Sequence, residues 1–372
     1  MRSLPETIRR LQRYRFVPLL FAVTQLIICS ISSGYLHADV VTFGSGASTF
    51  TLDFKAVGNP NNAADTSWQP SGLNQLGTVG YSFGMSQVEI TERMIDVYNS
   101  DPLNVASPIT YSSPARGADR PATGVTWNEA ARFVNWLNRS KSNGSIVAYR
   151  TTTAAGNISL WSSTSPSQAL DYNSSNPYRS KRALYALATL NEWYKAAYYD
   201  PTKNGGIGGY WDYSVRTNSA PNPVSSGVGA TDVVYGLGST GVPASVYNSG
   251  GLSTYGVRAM NGNVWEWTET PMNASYSGSA TRYVVGGGFA DVDPTTFNKD
   301  ELRLRSPSQD TNQIGFRVIS LVAEDFDDGG GMLSGFSSVP EPSVSFVYVV
   351  AMGGFGWRLR RKQQLVRPSA AN

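Results

Sequence analysis

Apolar and polar residues alternate over residues 41–43 and again over 50–54, which predicts a short β-hairpin. Gly58, Pro60 and the asparagines around them then break the pattern as a loop. Tyr81, Phe83, Met85 and Val88 predict a further strand over 79–90. From Thr91 and Glu92 the period becomes helical, with Met94, Ile95, Val97 and Tyr98 on one side. Pro102, Pro108, Pro114 and Pro121 mark 101–122 as a loop. Thr126 and Glu129 form a capping box, in which the hydroxyl takes an orphan amide and the carboxylate reaches back to the cap. Trp127, Ala130, Ala131, Val134 and Leu137 follow at helical spacing and predict a helix ending near Asn138. A second box, Thr189 and Glu192, opens a helix through Trp193, Ala196, Ala197 and Tyr198 that stops at Asp200–Pro201. Between these helices, 139–182 is rich in Ser, Asn, Thr and Gly and reads as a surface insertion, with strands around 146–149 and 158–161. Residues 203–250 are again loop, and strands at 283–285 and 314–319 close the pattern.

Residues 261–269 stand apart. Gly262 lies between two asparagines, residue types that tolerate positive φ, so a tight turn is expected there. An extended backbone after it places Trp265 and Trp267 on one face and Glu266 on the other. Two indoles need a large buried area and partners for their N–H groups, which points to the domain centre. Whether Glu266 serves a cation or accepts hydrogen bonds from turn amides is open at this level.

The ends change the picture of charge and chemistry. Arg9, Arg10, Arg13 and Arg15 precede an apolar run from Phe16 to Ile31 and a small-residue region reaching Ala38, so 1–38 reads as a secretory signal peptide. The sole cysteine, Cys29, and the sole histidine, His37, lie inside it. Cleavage after Ala38 therefore excludes a thiol nucleophile, disulfides, a Ser–His–Asp relay and zinc sites built on Cys or His. Taking the ten basic and two acidic residues of the two end segments from the 30 and 27 of the whole chain leaves 20 against 25, a net charge of −5. No nucleic-acid partner is indicated. Abundant aromatics with few charges suit a loop-rich extracellular domain.

Residues 324–338 read as an acidic, glycine-rich linker. Pro340, Glu341 and Pro342 then precede a short apolar run over 344–357 and the basic cluster from Arg358 to Lys362. Fourteen residues of helix span about 21 Å at ~1.5 Å per residue, less than the ~30 Å apolar core of a bilayer. A transient span with the basic end held on the cytoplasmic side is expected, with a permanent anchor as the alternative. Residues 339–372 resemble the PEP-CTERM sorting signal, which implies an exosortase-type processing enzyme as partner.

Six separated segments carry a second resemblance: 87–91, 124–127, 189–194, 262–267, 286–289 and 315–318. Together they resemble the sulfatase-modifying-factor family, that of the formylglycine-generating enzyme, over roughly 75–323. The resemblance implies an α+β fold, a variant of the C-type lectin fold with little regular secondary structure. The domain is then 39–323, with 39–74 as a hairpin extension. In that family two cysteines bind copper and activate oxygen. Asp291 and Thr296 stand at their positions here, so neither copper nor that oxidase activity is expected, because carboxylate and hydroxyl do not replace soft thiolates. The family's calcium site corresponds to the backbone oxygens of Gly262 and Val264 and the carboxylate of Glu266, but Ala259 stands where a side-chain oxygen belongs.

The expected function is that of a non-enzymatic, exported cell-surface or matrix protein. Its loops at 101–122, 203–250 and 290–300 would bind extracellular polysaccharide or a surface protein. The alternatives are a polysaccharide hydrolase using two carboxylates among Glu266, Glu269, Asp291 and Asp293, and a purely structural component of an exopolysaccharide matrix.

Overall fold

A computed structural model describes residues 39–68, 70, 73–152 and 157–321. The signal segment, the linker, the Pro–Glu–Pro element and the 344–357 run lie outside the described residues. Among the described residues, no helix is long and apolar enough to cross a membrane.

The N-terminal hairpin pairs β1 (Asp39–Ser45) with β2 (Ser48–Val57), longer at both ends than the alternation predicts. It is an integral edge of a five-stranded sheet. β2 continues to β3 (Phe83–Ser86), and beyond β3 lie a strand at Val318–Ser320 and then β4 (Tyr185–Leu187). The strand expected over 79–90 shrinks to the four residues of β3 because its flanks bond elsewhere. Val79 accepts from the Asn61 amide, Gln87 donates to Asp53, and Ile90 donates to Phe316.

Three helices cover this sheet: α1 (Glu92–Ser100), α2 (Trp127–Lys141) and α3 (Leu190–Tyr198). The capping boxes of α2 and α3 form as expected, with Thr126 paired to Glu129 and Thr189 to Glu192. Asn138 does not end α2. Its amide donates both to the Val134 carbonyl one turn back and to the Tyr185 carbonyl of the neighbouring strand, and accepts from the Leu184 amide, so the side chain is satisfied within the helix. α1 and α2 pack on one face with Phe50, Leu52, Phe54, Tyr185, Leu187 and Val318. α3 packs on the other with Val57, Phe83, Met85, Ala186 and Ile319. Alternate residues of β4 and of Val318–Ser320 thus feed different cores, while the edge hairpin keeps polar residues on its outer face.

A second sheet holds β5 (Trp265–Pro271), β6 (Arg282–Val285), β7 (Arg303–Arg305) and β8 (Ile314–Gly315) in the order β7-β6-β5-β8, with β8 parallel to β5. The single strand expected over 314–319 is therefore divided. Its first part joins β5, and its second part, β9 (Val318–Ser320), crosses to the other sheet. Phe316 and Arg317 bridge the two.

The 139–182 stretch is not simply a surface insertion. Among its described residues Arg150–Thr151 pairs with Ile158–Ser159, and Tyr149, Tyr178 and Arg179 are buried. Arg179 bonds Glu192 at 2.8 Å and Glu269 at 2.7 Å, fastening the stretch to α3 and β5. Glycine- and serine-rich composition hid these anchors.

A candidate ligand-binding face

The turn expected before β5 forms: Gly262 and Asn263 have positive φ, while Asn261 does not and Ala259, outside the expected set, does. A Cβ on Gly262 would lie 2.5 Å from the Val234 carbonyl oxygen, so only glycine fits. The two flanking asparagines reach into the loops. Asn261 accepts from the Ser214 amide and donates to the Phe297 carbonyl at 2.7 Å. Asn263 accepts from the Ala244 amide and donates to Glu89, both at 2.8 Å. One turn thus fastens both long loops to the core.

Beyond the turn the indoles alternate as expected. Trp265 and Trp267 belong to the α2 core, and their N–H groups donate to Asp291 and to the Val125 carbonyl, each at 2.8 Å. Glu266 points the other way and is fully buried. Its Oε2 accepts from Trp193 Nε1 and Arg317 Nε, both at 2.6 Å, while Arg317 Nη2 holds Oε1. Arg317 also donates to the carbonyls of Ser86 and Arg258 at 3.0 Å. The division of the last strand is what carries this guanidinium to Glu266, since Arg317 lies in the crossing between sheets.

These contacts bear on the calcium site left open at Gly262, Val264 and Glu266. Both carboxylate oxygens of Glu266 already hold a permanently charged guanidinium, and Ala259 contributes no side-chain oxygen. A divalent ion on Glu266 would stand against that guanidinium, so the residues present do not fit the ion. Among the described residues, no three Cys, His, Asp or Glu side chains converge as metal ligands.

Glu89 is the buried carboxylate that pattern reasoning missed. It is fully buried; its Oε1 accepts from Asn263, and among the described residues its Oε2 has no hydrogen-bond partner. Burial pushes its pKa up to about 7, against the pull of Arg317 and with a further push from Glu266. Its one signal in the chain is a lone acid between Val88 and Ile90.

Asp291 and Thr296 hold their own loop together. Asp291 accepts from Trp265, from the Gly288 amide at 2.7 Å and from Arg303 at 3.2 Å. Arg303 in turn lies 3.8 Å over the Trp265 ring. The Thr296 hydroxyl donates to the Asp293 carbonyl within a 3-10 turn, Pro294–Phe297, that Asp293 caps. Of the four carboxylates weighed for hydrolysis, Glu266 and Glu269 are sealed in the core beside arginines, and Asp291 is held by three donors. Asp293 is exposed.

The three loops read as ligand-contacting do come together. Asp119 accepts from the Val246 amide at 2.8 Å, Arg120 reaches the Pro243 carbonyl, and Arg116 lies 5.5 Å over the Phe289 ring. The Gly236 amide donates to the Asp291 carbonyl at 2.7 Å, and the Phe297 ring packs on Tyr235 at 4.8 Å. Between 203–250 and 290–300 opens a hollow of about 400 Å³, lined by Tyr235, Leu237, Pro223, Ser225 and Pro294, with exposed Val292 at its side.

The architecture is shared with solved structures. Treponema denticola variable protein 1 is 20% identical, with 76% of this chain and 99% of that one covered at a TM-score of 0.50. CarF is 21% identical over 77% and 99% of the two chains, with a TM-score of 0.46. PvdO from Pseudomonas aeruginosa is 18% identical over 75% and 97%, with a TM-score of 0.44. At such identities the likeness to the first shows the fold alone. No curated protein matches the chain. Residues 63–322 match the sulfatase-modifying factor enzyme 1-like domain, which is most of the chain, and the protein belongs to that family.

Proposed function

We propose that the chain is an exported protein that uses this family scaffold to bind a ligand at the cell surface or in the extracellular matrix, without copper-dependent oxidase activity. The observation that carries this reading is the open hollow between 203–250 and 290–300, with 101–122 bonded to the first of these loops. Loops this long hold a defined surface only when fastened, and the Asn261 and Asn263 amides do the fastening. The groups at the family's cysteine positions are a carboxylate and a hydroxyl engaged within their own loop, which supports binding over oxidation. Export rests on the 1–38 segment, and processing by an exosortase-type enzyme rests on Pro340, Glu341 and Pro342. The ligand classes that suit such a face are polysaccharides and surface proteins.

The test is a binding screen of the full chain against extracellular polysaccharides, with product analysis alongside. Ser225→Trp, which fills the hollow, and Val292→Glu, at an exposed position, are expected to weaken binding with the thermal midpoint unchanged. Polymer cleavage without stable binding would sink the proposal in favour of the carboxylate hydrolase. Full binding by both variants would remove the hollow from it.

A further inference from the structure

A separate hollow of about 240 Å³ lies where β2 meets α1. Phe50 and Met94, both buried, are among the residues that border it. Thr49 and Thr51, two residues apart on one strand and so on one face, supply hydroxyls. Arg93 and Asp119 supply one charge of each sign, and Tyr247, 56% exposed, supplies an aromatic ring at the edge. The β2 wall precedes residue 63, where the family match begins, so this hollow is built partly from an addition to the family domain.

The polar groups are positioned but not consumed. Arg93 is held by its Nη2 contact to the Thr49 carbonyl at 3.2 Å, and its side chain is exposed. The Asp119 backbone is fixed by the Val246 amide, while its carboxylate has no partner among the described residues. The Tyr247 hydroxyl is likewise without one among the described residues. Opposed charges disfavour a simple anion, which meets Asp119, and a simple cation, which meets Arg93. A neutral ring with an apolar face and several hydroxyls suits the set. The face stacks on tyrosine, and the hydroxyls accept charge-assisted hydrogen bonds from the guanidinium and donate them to the carboxylate. The volume falls below the ~300 Å³ typical of drug-sized sites and so matches one ring rather than several.

We propose that this hollow binds a single neutral sugar residue of a longer glycan, with Tyr247 as the stacking plate and Arg93, Asp119 and the β2 threonines as hydrogen-bond partners. This deepens the reading of the protein as a ligand binder and rests on it. The test titrates the full chain with neutral gluco-, manno- and galacto-oligosaccharides by calorimetry, comparing wild type with Tyr247→Ala and Asp119→Asn. Both substituted side chains are exposed, so the thermal midpoint should not move. Each variant is expected to weaken binding, Tyr247→Ala by up to about tenfold, the worth of one aromatic contact. Glycan binding that neither variant alters would overturn this site while leaving the general reading standing. No binding to any oligosaccharide or polymer would overturn both. Binding of free glycine instead, with the same dependence on Asp119, would overturn the ligand class, since a zwitterion also matches the charge pair.

Discussion

Replacing Arg317 with methionine leaves Glu266 as an uncompensated carboxylate at the junction of the two sheets. Both groups are about 1% exposed, so water does not relieve the charge. Removing one partner of a buried ion pair costs about 3–5 kcal/mol. The carbonyls of Ser86 and Arg258 also lose a donor, and orphaned buried acceptors add roughly 1 kcal/mol or more. The expected loss is therefore about 4–6 kcal/mol, close to the whole stability of many domains. Urea unfolding of Arg317→Met, Glu266→Gln and the double variant measures it. The double variant should be more stable than the sum of the single losses by about 3 kcal/mol, the coupling of the pair. Calcium supplies an independent arm. An ion at a hundred times its dissociation constant would stabilise the native state by about 2.7 kcal/mol. Wild type is expected to show no such gain in millimolar calcium and no loss in chelator. A loss below about 1 kcal/mol in Arg317→Met, or a calcium-dependent gain of that size in wild type, would refute the assignment of Arg317 as the cation that Glu266 serves.

Glu89 makes stability depend on pH in the opposite sense to most carboxylates. Its pKa is raised from 4.5 to about 7, so the folded chain keeps a proton that the unfolded chain releases. That contribution is fully present below 4.5 and is lost as pH rises through about 7. Glu89→Gln removes this dependence, so its thermal midpoint should gain on wild type between pH 5 and pH 8; parallel profiles would rule the reading out. Arg179→Met strands Glu192 and Glu269 together in the core, and a loss of about 3–5 kcal/mol is expected by urea unfolding. Near-neutrality there would mean that the 139–182 stretch is as peripheral as its composition suggests.

Caps, the left-handed turn and the alternation of the two indoles could be read directly, because each depends on neighbours a few residues apart. Thr126 with Glu129, Thr189 with Glu192, and Gly262 with Asn263 all behave as their local chemistry demands. α2 runs three residues past Asn138, whose side chain bonds both its own helix and a strand residue 47 positions away. The last strand was misread as a single one. Residues 314–319 have strand character throughout, and nothing local says that two different sheets will share them.

The role of Glu266 lay beyond sequence for the same cause. An alternating pattern placed its carboxylate opposite the tryptophans, but its partner is 51 residues on and arrives only through the crossing from β8 to β9. Arg179 and Glu89 were likewise invisible, since the weight of a buried charge depends on what the fold removes from around it. The chain's own pattern settled its capped helices, its turn and its tryptophan centre. Tertiary structure decided which charges meet there and which loops share a face, because electrostatics and loop packing depend on distance in space.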